Sequence, residues 1–319
     1  MDRPVVHLVA AGSPIGPRLA ALGLDDVRAL RTRVARVLGR RFRVTADRAC
    51  LLAQEDDRRG GRTDDARRAR DLEQALSDDR VAALVALAGG AWFTRVLHRI
   101  DFGVLERRTT RVVVIGSSEM TSLVNVVASH KRGAGVHDVM PMFLLDVVRP
   151  RRSAEREFDR YWSDAASMIE EGGSSRRLTG TLLSGSLPRR STIRAVGGNL
   201  TVVAAMMGGP FVRAFRTRGR WLALEDVREK PERIDRMLAQ LRLAGLFDGL
   251  AGVLLGDFRR GRDDLHDAVV ALLRVHLPDR RAPIVGRCNF GHIWPAAPLP
   301  LHRRLQVLRR GREVQIDPA

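Results

Sequence analysis

The chain has 319 residues, 55 Lys and Arg against 37 Asp and Glu, a formal net charge of +18 and 45% hydrophobic residues. This is the composition of a globular protein with a sizeable core, and no apolar run reaches the ~20 residues of a membrane span. Two cysteines, Cys50 and Cys288, make neither a disulfide framework nor a zinc site, and they read as small buried apolar residues.

The first apolar run, "VVHLVAAG", is far shorter than the body of a secretory signal and reads as a strand, so a cytoplasmic protein is expected. In "LDDVRALRTRVARVL", Leu24, Val27, Leu30, Val34 and Leu38 recur at helical spacing, and "RFRVTAD" is a second strand. Thr63 followed by Asp64 and Asp65 is an N-cap with acids in the first turn, opening the helix "DARRARDLEQAL". "VAALVAL" then runs into Gly89 and Gly90, and "RVVVIG" runs into Ser117 and Ser118. Continuous apolar strands separated by amphipathic helices indicate a parallel sheet covered on both faces, with ligands outside the carboxyl ends of its strands. Both glycine turns fall on that rim.

Residues 149–180 change texture. "RPRRSAEREFDRYWSDAASMIEEGGSSRR" reads as a charged helix anchored by Phe158, Trp162 and Met168 or Ile169, then a Gly/Ser segment linking two domains, 1–148 and 181–319. Beyond it come short β runs, the strand "WLALEDV" ending in acids, the amphipathic helix "PERIDRMLAQLRLAGLF" with Ile234, Met237, Leu238, Leu241 and Leu243 apolar, and the strands "LAGVLLGDF" and "APIVGRCNFGH".

The positive charge is nearly all arginine, since lysine occurs only at Lys131 and Lys230. It is spread along the chain rather than gathered, and aromatics are only 5%, so few platforms exist for stacking single strands. No specific nucleic-acid partner is expected; adventitious binding at low salt is.

A serine hydroxyl becomes a nucleophile only when a base takes its proton and a third group orients that base. Ser117 or Ser118, His292 in the loop "GRCNFGHIWP", and Glu225 or Asp226 at the end of "WLALEDV" supply those types at strand ends. Each has a more ordinary reading taken alone: a capping serine, a structural histidine and a solvated acidic turn.

Several segments together resemble the LD-carboxypeptidase family of serine peptidases, which includes the muropeptide carboxypeptidases and the microcin-immunity hydrolases. They are "RARDLEQALSDDRVAALVALAGG", "GSSEMTSL", "VGGNLTVVAAMMGGPF", "WLALEDVREKPERIDRMLAQLRLAGLFDGLAGVLLGDF" and "GRCNFGHIWPAAPLPL", within a resemblance covering roughly residues 5 to 307. It implies an N-terminal flavodoxin-like parallel-sheet domain, a second mixed, β-rich α/β domain and an active site in the cleft between them. Ser118 becomes the nucleophile, His292 the general base and Glu225 the acid that orients it. The backbone N–H groups of Gly90 and Glu119 become the oxyanion donors.

The implied reaction removes a terminal D-amino acid from a small peptide-like substrate, a muropeptide, with no cofactor and no metal, in a homodimer that needs no membrane. The substrate carboxylate calls for an arginine, with Arg95, Arg194 and Arg228 as candidates. Departures from the family pattern are Ser117 at its aromatic position, Glu119 at its aspartate, "AWFTR" after Gly-Gly, "VHDVMPMF" where a His-Gly-Pro run is frequent, and the extra "SGSLPRRSTIR". They keep two alternatives open: a hydrolase of a peptidyl-nucleotide or other natural-product amide, and a non-catalytic peptide-binding descendant.

Overall fold

A computed structural model describes residues 3–10, 12–52 and 64–319. The expected cap at Thr63 lies outside the described residues. The chain divides into two compact units, the first comprising 1–136 with 140–175 and the second 137–139 with 176–319.

In chain order the first unit holds β1 (Val5–Val9), α1 (Gly16–Ala21), α2 (Val27–Leu38), β2 (Arg43–Ala46), α3 (Arg48–Leu52), α4 (Asp65–Ser77), β3 (Val81–Ala86), α5 (Thr94–Leu97), β4 (Val112–Gly116), α6 (Thr121–Ala128), β5 (Gly133–His137), α7 (Leu144–Val147) and α8 (Arg151–Glu170). Its strands run β2-β1-β3-β4-β5, the flavodoxin-like order, with β2, β1, β3 and β4 paired in parallel. The order reverses between β1 and β3, and the turns after those two strands meet there. The continuous Val/Ile/Leu strands are buried along their length, as a sheet covered on both faces requires: every residue of β1 and β4 is buried. In α2 the expected stripe is the buried one, Val27, Leu30, Val34 and Leu38, and Asp26 caps the helix by accepting from the Ala29 N–H at 2.8 Å. In α8, Phe158, Trp162 and Met168 are buried, joined by Tyr161.

Arg108 is one of the charged residues that this unit buries. The Arg108 side chain is fully buried and donates to the carbonyls of Leu76, Asp78 and Val81, each at 2.8 Å. It thereby ties the end of α4 to the start of β3.

The second unit holds β6 (Leu178–Ser184), β7 (Arg190–Ile193), β8 (Ala195–Asn199), α9 (Leu200–Ala205), β9 (Trp221–Val227), α10 (Pro231–Leu243), β10 (Gly252–Arg260), β11 (Asp263–Asp264), α11 (His266–His276), β12 (Ile284–Gly286), β13 (Leu299–Leu301), β14 (Leu305–Arg310) and β15 (Glu313–Pro318). Its mixed sheet runs β7-β14-β15-β6-β12-β10-β9-β8, with β11 on β10. The β8-β9-β10-β12 part is parallel and the β6, β7, β14 and β15 part antiparallel. In α10, Ile234, Leu238 and Leu241 are buried, whereas Leu243, about 200° round the helix from Leu241, is on the outer face and 89% exposed. Both cysteines are free and buried. Among the described residues, no helix is long and apolar enough to cross a membrane.

Candidate active site

Two constellations carry the candidate chemistry, one in each unit. In the first, β4 ends at Gly116, Ser117 leads out in extended conformation, and Ser118 opens a short 3-10 turn into α6. Ser117 is buried and makes no side-chain cap hydrogen bond, so an ordinary capping turn does not describe it. Ser118 is half-buried with φ +56°, the left-handed region that a non-glycine residue rarely occupies. A sharp strand-to-helix turn with a strained serine at its apex is how a sheet presents a hydroxyl at its rim.

Glycine is required at two positions facing that turn. A Cβ on Gly89 would stand 2.9 Å from Ser118 Cβ and 3.0 Å from its Oγ, so the bare backbone is what lets the β3 turn approach the hydroxyl. Gly90 has φ +118°, and a Cβ there would collide with the Ser13 side chain; one on Gly12 would lie 2.5 Å from the Gly89 carbonyl oxygen. The turns after β1 and β3 are therefore in backbone contact.

Glu119, the other expected oxyanion residue, has a mostly buried carboxyl that accepts from Thr94 Oγ1 at 3.1 Å, and burial pushes its pKa up. Arg95 is committed to Asp65, with Nε 2.9 Å from Oδ2, and its guanidinium lies over the Trp92 ring at 5.0 Å.

In the second unit, β9 carries Glu225 and Asp226 to opposite faces, as successive strand residues must go. Glu225 is completely buried, and its Oε2 lies 2.7 Å from His292 Nδ1. Burial alone would raise the Glu225 pKa; the charge and hydrogen bond of His292, with His137 close by, outweigh it and hold the carboxyl below the usual carboxylate range. Burial likewise works to lower the His292 pKa, but the Glu225 carboxylate, aided by Asp226 and Asp257, raises it. The two act as a pair.

Asp226 turns instead to α9. Its Oδ2 accepts from the N–H and Oγ1 of Thr201, both at 2.8 Å, and its Oδ1 accepts from the Val227 N–H at 2.8 Å. Burial and the neighbouring Glu225 charge push its pKa up to about 6. Of the two acids ending "WLALEDV", one hydrogen-bonds a histidine and the other the first turn of α9.

The loop bearing His292 is pinned along its length. Cys288 N–H donates to Leu255 O at 2.9 Å and Asp257 N–H to Phe290 O at 2.9 Å; Asn289 accepts from Thr179 N–H at 2.8 Å and donates to Arg177 O at 2.9 Å. Gly291 has φ +109°, and a Cβ there would press on Glu225, 3.0 Å from both its Cβ and Oε2. Beyond the histidine, Arg176 donates to Ala296 O at 2.7 Å and lies over the Trp294 ring at 5.5 Å. The same guanidinium grips buried Asp138 in bidentate fashion, at 2.9 and 2.7 Å.

Arg194 and Arg228 are both exposed, Arg228 with φ +72°. Sequence reasoning missed the pair His137–Asp138. Its one signal was the run "VHDVMPMF", where a histidine and an acid end an apolar strand.

Among the described residues, one group has metal-ligating side chains within reach of one another, Asp47, Cys50 and Asp71. Each already has a local explanation. Asp47 accepts from the Cys50 N–H at 2.9 Å, Asp71 faces His7 Nε2 at 3.0 Å, and burial pushes the Cys50 thiol up to about 12.

Residues 6–138 match the LD-carboxypeptidase N-terminal domain and residues 193–307 the LD-carboxypeptidase C-terminal domain. A Streptomyces coelicolor protein named "Putative carboxypeptidase" is 30% identical over 236 residues, covering 74% of this chain and 72% of its own. The "Probable murein peptide carboxypeptidase" of Bacillus subtilis is 27% identical over 306 residues, 93% of this chain and 86% of its own. Among solved structures, an MccF-like protein from Streptococcus pneumoniae in complex with AMP superposes with TM-score 0.74 at 18% identity, over 99% of each chain. The microcin-immunity protein MccF, in complex with glutamyl sulfamoyl guanosine, does so with TM-score 0.73 at 15% identity, over 99% of this chain and 96% of its own. The two domain matches in chain order, with relatives at this identity and coverage, establish that the chain belongs to the LD-carboxypeptidase family.

Proposed function

We propose that the protein is a serine carboxypeptidase acting on muropeptide-like substrates, with Ser118 as nucleophile, His292 as general base and Glu225 as the acid that orients it. The observation that carries this reading is the carboxylate–imidazole pair: a completely buried Glu225 at 2.7 Å from Nδ1 of His292. A carboxylate held on Nδ1 fixes the proton there and leaves Nε2 as the basic nitrogen. The left-handed turn at Ser118 supports the role of nucleophile.

In the proposed reaction Ser118 Oγ attacks the carbonyl carbon of the terminal amide, and its proton passes to His292 Nε2. The imidazolium is stabilised by Glu225. Collapse breaks the C–N bond as Nε2 returns the proton to the leaving amine, and water then hydrolyses the acyl-serine by the same proton path. The N–H groups of Gly90 and Glu119 are proposed to bind the oxyanion, a role in which losing one donor typically raises the barrier by ~3 kcal/mol.

The test is to incubate the parent and Ser118→Ala with murein tetrapeptides and peptidyl-nucleotide amides, following amine release by mass spectrometry. Release of a terminal D-amino acid by the parent alone is expected. Release from the nucleotide amides alone would replace the substrate while keeping the chemistry, and equal release by both proteins would end the serine reading.

A further inference from the structure

His137 is fully buried, and its Nε2 stands 3.5 Å from Oε1 of Glu225, the carboxylate oxygen that His292 does not use. Neither ring nitrogen of His137 and not Oε1 of Glu225 has a hydrogen-bond partner among the described residues. A separation of 3.5 Å is the outer limit of a hydrogen bond, and a few tenths of an ångström would complete one. Leaving both atoms orphaned inside the protein is costly, whereas satisfying each with the other is not.

The ring cannot drift elsewhere. It packs edge-on against Phe290, with centroids 6.0 Å apart and planes at 89°, and Phe290 lies two residues before His292. The next residue, Asp138, holds the Arg176 guanidinium that binds Ala296 O on the other side of His292. Residues 137 and 138 thus brace both flanks of the histidine loop.

We propose that His137 is a positioning residue of the Glu225–His292 pair, its Nε2–H donating to Glu225 Oε1 so that the carboxylate presents Oε2 to His292 in a fixed plane. The assignment rests on the Ser118–His292–Glu225 reading and adds a fourth member that touches no substrate. Its consequence is electrical as well as geometric. Glu225 divides its charge between two imidazoles, so His292 holds its proton less tightly than it would beside an unshared carboxylate. Asp226 from β9 and Asp257 from β10 also act on His292.

Two substitutions of similar size separate this role from packing. His137→Gln places an amide N–H near the position of Nε2, and His137→Asn places it near Nδ1, out of reach of Glu225. The readout is the rate at which a fluorophosphonate probe labels Ser118, measured against pH.

The glutamine variant is expected to label within about threefold of the parent. The asparagine variant should fall about tenfold or more, the loss of a single buried hydrogen bond, with its acid limb moved to higher pH. His137→Phe keeps a ring against Phe290 without a donor, and it takes the place of the asparagine variant should that one fail to fold. Parent-like labelling in every variant, or equal slowing in all of them with an unmoved limb, overturns the proposal. If His292→Ala and Glu225→Ala label Ser118 at the parent rate, the triad reading itself fails and the proposal falls with it.

Discussion

At the scale of single residues the arrangement turns on one buried negative charge. Glu225→Gln keeps the shape of the side chain and removes that charge, so it should cut labelling of Ser118 by roughly 10²- to 10⁴-fold. It should also move the acid limb to lower pH, because the raised pKa of His292 comes from the carboxylate. The signs for stability follow from linkage. The raised His292 contributes stability that is fully present below its unfolded pKa and lost as pH rises through the folded one. The depressed Glu225 contributes stability present above its unfolded pKa and lost as pH falls through the folded one. Thermal melts of parent and Glu225→Gln should therefore differ most between about pH 4.3 and 6.5, the two unfolded values, with the difference shrinking as pH falls from there toward the folded pKa of Glu225 or rises through that of His292. How much of this was legible in the sequence is uneven. Glu225, His292 and the "GSSE" turn were visible as residue types at strand ends, and the family resemblance ranked them. Which of Glu225 and Asp226 faced the histidine was a matter of strand parity that no spacing argument settled, and His137 was invisible because its partner lies 88 positions away in the chain.

At the scale of elements the strands and long helices were the readable part, since continuous apolar runs and period-3.6 apolar stripes are written into the order of the residues. The exceptions are instructive. Arg108, in the charged stretch "RRTTR", is a fully buried three-carbonyl clasp between α4 and β3. Arg108→Ala should destabilise the protein by about 3 kcal/mol or more, since it strands buried carbonyls. Chemical denaturation would register this, and a loss under 1 kcal/mol would show that water replaces the guanidinium. Leu243 is the opposite case: its apolar side chain stands about 200° round α10 from buried Leu241 and faces outward. Asp226→Ala should cost about 1–2 kcal/mol through loss of its hydrogen bonds to Thr201 in the first turn of α9, with a smaller effect on labelling than Glu225→Gln.

For the molecule as a whole, the net charge of +18 is a property of solution behaviour rather than of fold. It comes from arginines spread over both units, many paired as Arg33 is with Asp159 or Arg287 with Asp264 and Asp267. Binding to duplex DNA in a filter or mobility assay should accordingly be sequence-indifferent and fall steeply between about 50 and 200 mM salt. Retention of a sequence preference above that range would reopen the nucleic-acid reading. The change of texture near residue 150 pointed to a linker there, whereas α8 clusters with the unit that precedes it. Helices are assigned by what they pack on, and a charged surface sequence with sparse aromatic anchors does not say which side that is.

The backbone contact among Gly12, Gly89 and Gly90 makes the room around Ser118 a property inherited from the first strand. A methyl group at position 12 would push on the Gly89 carbonyl, and Gly89 in turn stands close against the Ser118 side chain. The clearance a substrate carbonyl meets at the hydroxyl is therefore set more than a hundred residues upstream, by an atom that is not there.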